Sequence, residues 1–263
     1  MSPDGRDRLL AVGAPAALVV LWEAAVATRV LDPRFFPPPS LVVLTLARLV
    51  ADGTLVQHTL VSVARVLGGF AIGGGAGLLL GLLLGVARPL RVALDPVISA
   101  LYVIPKVAIL PLVMLIFGLG EAAKVAIVAI ATFFVVVINT TAAVIGIEPI
   151  YLEAGRAFGA RGAGMFAHIV LPGALPAIFT GLRLALGTAL IVVIAAEFVA
   201  AKEGIGYFIW FAWNTLRPEA MFAGFIVIGA LGMLSYAAVH WAGARLMPWR
   251  EDGPAHEGRA EGA

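Results

Sequence analysis

LGGFAIGGGAGLLLGLLLGVA, residues 67–87, is uncharged from end to end. As an α-helix it would be about 30 Å long, the thickness of a bilayer's hydrocarbon core. Its internal order says more. Gly69, Gly73, Gly77, Gly81 and Gly85 recur at every fourth position, joined by Gly68, Gly74 and Gly75. A step of four advances about 400° around a 3.6-residue helix, so the glycines form one slowly drifting groove. Lipid gives no hydrophobic drive for helix association, and small residues instead let another helix backbone come close. The stretch predicts a membrane helix packed inside a helical bundle.

Apolar runs of similar length flank it at 10–28, 96–117, 122–145, 176–199 and 221–246, giving six candidate spans. The 263-residue chain is 61% hydrophobic and 13% charged, with a mean hydropathy of +1.01. A soluble globule would carry about 25% charged residues. The expected fold class is all-α: a polytopic membrane protein with about six transmembrane helices and a cytoplasmic coupling helix. Residues 1–9 read as a cytoplasmic N-terminus, 10–248 as the transmembrane domain, and 249–263 as a disordered, charged cytoplasmic tail. Trp22 and Glu23 lie in the first run and no clean A-x-A site ends it, so it reads as a retained span.

The chain has no cysteine, which excludes disulfides, thiolate catalysis and cysteine-ligated metals. His58, His168, His240 and His256 have no metal-ligand spacing. A net charge of +2 is no footprint for nucleic acid. With the N-terminus inside, the inside segments hold more Lys and Arg than the outside ones, and Arg88 and Arg91 sit tightly at one span end. Both termini and the loop that begins at Gly146 are therefore expected in the cytoplasm of a multi-pass protein.

Residues 31–40, LDPRFFPPPS, read as a surface segment, and 41–66 as an amphipathic helix at the outer interface. The third span is irregular, since Pro96, Pro105 and Pro111 each remove an amide donor. Broken backbone at membrane depth survives only against protein or water. Lys106, next to Pro105, and Glu197, closing the apolar run of the fifth span, are candidate translocation-pathway groups. Each has a plainer reading: Lys106 near an interface with its ammonium in water, and Glu197 as a structural group.

The polar segment 146–183 reads GIEPIYLEAGRAFGARGAGMFAHIVLPGALPAIFTGLR. Residues 148–167 suit short helices, with Gly159, Gly162 and Gly164 allowing tight turns. Leu171-Pro172 is expected to end the segment, with Pro176 close to the return into the membrane. A short surface helix pinned between two spans would carry a push from a soluble partner into both; an ordinary polar connector is the alternative.

Glu153-Ala154-Gly155, three residues, Gly159, nine residues, then Ile169-x-Leu171-Pro172 resembles the EAA signature of bacterial ATP-binding-cassette importer permeases. Gly155 departs from it, since the family usually has alanine there. Residues 37–40, the glycine-rich second span, 104–117, 181–187 followed by Ala195-Ala196-Glu197, and Gly204-Ile205-Gly206-Tyr207 are similar to the nitrate/sulfonate/taurine branch.

The resemblance implies a permease subunit in the bacterial inner membrane, importing a small solute such as nitrate, a sulfonate or taurine. Related permeases for bicarbonate or pyrimidine thiamine precursors stay open. It implies a second permease copy, two cytoplasmic ATPase subunits, an external solute-binding protein and membrane lipid as partners. Glu153, Ala154, Gly155 and Gly159 would belong to the coupling loop, 146–176, with Ile169, Leu171 and Pro172 fixing its return. The chain lacks a G-x4-G-K-[ST] phosphate loop. It is expected to be no enzyme and to hold no cofactor, with ATP and Mg on the partner. A secondary transporter or channel, with Glu197 as relay, is the rival from another class; a membrane enzyme or scaffold is the third.

Overall fold

The computed structural model describes residues 3–249. The tail expected to be disordered lies, from residue 250 on, outside the described residues, as do residues 1–2. All regular secondary structure among the described residues is helical. In chain order the helices are α1 (Pro3–Ala27), α2 (Pro39–Ala51), α3 (Thr54–Val86), α4 (Arg88–Val103), α5 (Leu110–Phe117), α6 (Glu121–Ile145), α7 (Pro149–Ala157), α8 (Gly162–Met165), α9 (Leu171–Ala200), α10 (Ile205–Asn214) and α11 (Pro218–Leu246). A 3-10 turn, Lys106–Ile109, leads into α5, and a π-helical turn, Phe166–Val170, leads into α9. Among the described residues five helices are long and apolar enough to cross a membrane, and α4 with α5 make a sixth if that bent pair is one span.

Three sequence expectations shift. The amphipathic helix expected over 41–66 is split at Asp52–Gly53: Gly53 is left-handed, at φ 82°, and Asp52 accepts the Thr54 amide at 2.9 Å. Thr54 already belongs to α3, a helix of 33 residues and about 50 Å in length. The third span is two helices, broken where Ile104 turns extended (ψ 121°) ahead of Pro105. Leu171 and Pro172 begin a helix instead of ending a segment. Proline in a first turn removes an amide that has no intrahelical partner anyway, so only Pro176 lies inside α9.

The described residues divide into two compact units, one of 3–68, 107–128 and 190–232, the other of 69–106, 129–189 and 233–249. In the first, Leu49, Leu55, Ile205, Phe208, Ile209, Ala220 and Ala223 form a buried apolar cluster. Glu23 of α1 accepts the Ser40 amide at 3.0 Å and its hydroxyl at 2.8 Å. The carboxylate thus meets the positive end of α2, which Pro39 opens with its fixed φ. α1 itself exposes Leu18, Val20 and Leu21 by 64–67%, as a lipid-facing helix does.

In the second unit the glycine groove packs on α6. A Cβ on Gly73 would strike the Ala129 carbonyl, and one on Gly77 would lie 2.7 Å from the Phe133 oxygen. At Gly81 it would meet Thr140 Cβ at 2.6 Å, and at Gly85 the Val144 side chain. The periodic glycines therefore set the helix spacing. Thr141 also donates to the Gly81 carbonyl at 3.2 Å.

Candidate functional site: a coupling loop and a buried ion cluster

In the second unit, α7 carries Glu153 and Ala154 exposed and Gly155 buried. Its end is a Schellman motif: the Gly159 amide bonds the Arg156 carbonyl at 3.0 Å and the Ala160 amide bonds the Gly155 carbonyl at 2.9 Å. Gly159 takes the left-handed position at φ 85°, with nothing within 4 Å of where a Cβ would stand. Its requirement is thus conformational, since side chains other than Gly and Asn are strained there. Gly155 has the opposite reason. A Cβ there would lie 3.0 Å from Ile169 Cγ1 and 3.2 Å from Met165 Sδ. The departure from the family's alanine lets the π-helical turn seat Ile169 against α7.

Tyr151, Ala154, Phe158, Ile169, Pro172 and Pro176 line an open, largely apolar groove of about 730 Å³. Phe158 is 93% exposed. Leu171 and Pro172 start α9 directly from the π-helical turn, so α7, the loop and a long apolar helix are joined without a slack linker.

In the first unit Glu197 is fully buried, and its partners come from two elements, α3 and α10. It accepts from the Ser62 hydroxyl at 2.8 Å, from Arg65 Nη1 at 2.7 Å and from the Gly206 amide at 2.8 Å. Arg65, 3% exposed, also forks onto Glu121, Nε to Oε2 and Nη2 to Oε1, both at 2.6 Å. Lys124 donates to Glu121 at 3.0 Å. Two cations and two carboxylates balance: Arg65, Lys124 and Glu197 are buried, while the Glu121 side chain is 62% exposed and carries the cluster to the surface.

The 201–206 segment is tied into this cluster by its backbone. The Gly204 amide donates to His58 Nδ1 at 3.0 Å, the Ile205 amide to Ser62 Oγ at 2.8 Å, and the Glu203 carbonyl accepts from Arg65 at 2.8 Å. Gly204, at φ 111°, has no room for a Cβ beside the Glu197 carboxyl, and one on Gly206 would lie 2.6 Å from the Ile194 oxygen. In the sequence, Glu197 and the Gly204–Tyr207 motif stand apart, and Arg65 falls at the end of the amphipathic helix expected over 41–66. His58, Ser62 and Arg65, spaced i, i+4, i+7 on one helical face, are the signal that joins them.

Lys106, in the second unit, points its ammonium at the carbonyls of Leu101 (2.7 Å), Ile104 (2.9 Å) and Tyr102 (3.1 Å). The Phe134 ring centroid lies 4.4 Å away. Three donors meet three acceptors, and a cation at the end of α4 suits its dipole. Lys106→Met is expected to lower the melting temperature and slow transport of every solute alike, because the freed carbonyls lose their cap. Uptake kinetics with two anions of different charge test this, and a change in selectivity at unchanged stability would refute it.

An all-α, multi-pass protein with a short helical loop between two spans is thus defined. A profile described as "Binding-protein-dependent transport system inner membrane component" matches residues 75–250. SsuC of Bacillus subtilis, assigned by name to aliphatic sulfonates transport, is 32% identical over 90% of this chain and 86% of its own. The taurine transport system permease TauC of Escherichia coli is 31% identical over 94% of this chain and 92% of its own. The fold is similar to a chain of the inward-facing MetNI methionine ABC transporter, with a TM-score of 0.58 and 21% identity over 81% of this chain and 97% of that one. The chain belongs to the binding-protein-dependent transport inner-membrane component family, the permeases of ATP-binding-cassette importers, and within it to the nitrate/sulfonate/taurine branch.

Proposed function

We propose that this permease imports a small sulfonate of the taurine type, driven by a separate cytoplasmic ATPase that grips the 146–176 loop. The observation that carries the coupling half is the Schellman turn at Gly159, which holds Phe158 out beside an apolar groove. The solute half is supported by the names of the two relatives.

In this reading both termini and the loop are cytoplasmic, and the mild excess of Lys and Arg on those segments supports that orientation. Two permease copies, two ATPase subunits and an external binding protein make the working unit. A symmetric pair is the commonest closed assembly. The chain makes and breaks no bonds. ATP and Mg sit on the partner, and closure of the ATPase pair draws the coupling helices together and reorients the spans.

Glu153, Ala154, Gly155 and Gly159 form the coupling surface, and Ile169, Leu171 and Pro172 carry its motion into α9. Lys106 and Glu197 shape the route by holding backbone in place, Lys106 at the break after α4 and Glu197 under the 201–206 segment.

Uptake of labelled taurine into proteoliposomes holding permease, ATPase and binding protein tests the whole reading. Accumulation is expected only with all three and internal ATP. Uptake persisting without ATP would make the protein a secondary transporter or channel. ATP-driven uptake of another solute, with taurine excluded, would overturn the sulfonate assignment alone.

A further inference from the structure

A second charged site lies apart from the coupling surface and the buried cluster, where α9 and α11 run close together in the second unit. Gly243 makes the approach: a Cβ there would lie 3.3 Å from Phe179 of α9 and 3.2 Å from Met247. Beside it opens a cavity of about 220 Å³, lined by Arg183, Tyr236, His240, Gly243, Met247 and Pro248. That is room for far more than one water. The lining residues contribute a guanidinium, an imidazole and a phenol, and no carboxylate.

The Arg183 guanidinium lies 5.0 Å from the Tyr236 ring centroid and donates from Nη2 to His240 Nδ1 at 3.3 Å. That pairing puts the imidazole proton on Nε2, a second donor. Tyr236 and His240 stack one turn apart, with ring planes 8° from parallel. Arg183 Nε is buried and has no acceptor on the protein. The guanidinium gives the cavity wall a positive charge with no carboxylate among the lining residues, and an oxyanion is the group that complements it.

The surroundings select the kind of anion. Tyr236 and Trp241 of α11 are 59% and 61% exposed, the placement of aromatic residues at headgroup level. Met233, 71% exposed, lies two turns back from His240 on the same helical face, where an acyl chain would run.

We infer that this cavity binds the phosphodiester of an anionic phospholipid, with Arg183 as its principal ligand and His240 as an auxiliary donor. The lipid would fasten α9 to α11 at the membrane surface. α9 is the helix that leaves the coupling loop, so the clamp would stiffen the element through which that loop acts. The inference rests on α11 spanning the membrane and is independent of ATPase docking.

Native mass spectrometry of the full-length permease in mild detergent, titrated with phosphatidylglycerol or phosphatidylcholine, tests it. Wild type is expected to bind phosphatidylglycerol preferentially, and Arg183→Gln to weaken that binding about tenfold or more, the loss of one charge-assisted hydrogen bond. Arg245→Gln, on the neighbouring exposed cation beside Trp241, is expected to leave it unchanged. His240→Leu, at an exposed position, supplies a variant whose folding is not at stake and is expected to weaken binding several-fold.

Equal binding by wild type, Arg183→Gln and His240→Leu would overturn the inference. So would an equal loss in Arg245→Gln, which would mean diffuse surface attraction. Displacement of the lipid by inorganic phosphate or taurine at comparable affinity would show a site for a free anion instead.

Discussion

Arg65→Leu is expected to cost about 3–5 kcal/mol of stability, as breaking a buried ion pair from one side does. The reason is the environment it leaves behind. Glu197 would be fully buried with only Ser62 and the Gly206 amide, and no cation, against its charge. The Glu203 carbonyl would lose its donor as well. In a protein of this size the melting temperature should fall by on the order of 10 °C.

Arg65→Lys should fail almost as badly, because an ammonium cannot fork onto Glu121 and still reach Glu197. Arg65→Met combined with Glu197→Met should recover part of the loss by removing both charges together. Thermal unfolding in detergent would measure the series. A single Arg65→Leu variant as stable as wild type would contradict the cluster's structural role.

Gly159→Arg is expected to abolish ATP-driven transport while the protein still inserts at wild-type levels. The left-handed position costs an ordinary residue about 1–2 kcal/mol. That is small beside a membrane protein's packing but enough to unwind the Schellman turn that ends α7. Phe158 would then leave its place beside the groove. Gly159→Asn should keep most of the activity, since asparagine tolerates this backbone. The pair separates conformation from packing, because no atom lies within 4 Å of the added Cβ. Equal loss in both variants would put the requirement in the surface rather than in the turn.

The two substitutions also mark how far the sequence could be read. The spans were legible because hydropathy reports burial in lipid directly, and the glycine groove because a four-residue period has one meaning on a helix. Gly159 was legible as a turn glycine for the same local reason. Arg65 was not. Hydropathy stops at the first polar residues, so 41–66 read as one amphipathic helix at the outer interface, although His58, Ser62 and Arg65 belong to α3 on one face.

Glu197's partners come from positions as far as 135 residues away in sequence, a distance no local pattern bridges. Lys106 shows the same limit. Its charge and its neighbouring prolines were plain, but its three carbonyl acceptors belong to backbone that only the break before Pro105 turns toward it. Gly155 was plain only as a departure from the family's usual alanine, and the structure gives its reason: Ile169 fills the space that its missing methyl leaves.

The central claim is that a separate ATPase drives this permease through the 146–176 loop. Affinity co-purification of the permease with its ATPase subunit in mild detergent, comparing wild type, Gly159→Asn, Gly159→Arg and Phe158→Ser, tests it most directly. The account predicts stoichiometric ATPase with wild type and Gly159→Asn, and its loss from Gly159→Arg and Phe158→Ser that remain folded in the membrane. Full retention of the ATPase by Gly159→Arg and Phe158→Ser, or none recovered with folded wild type, would contradict it.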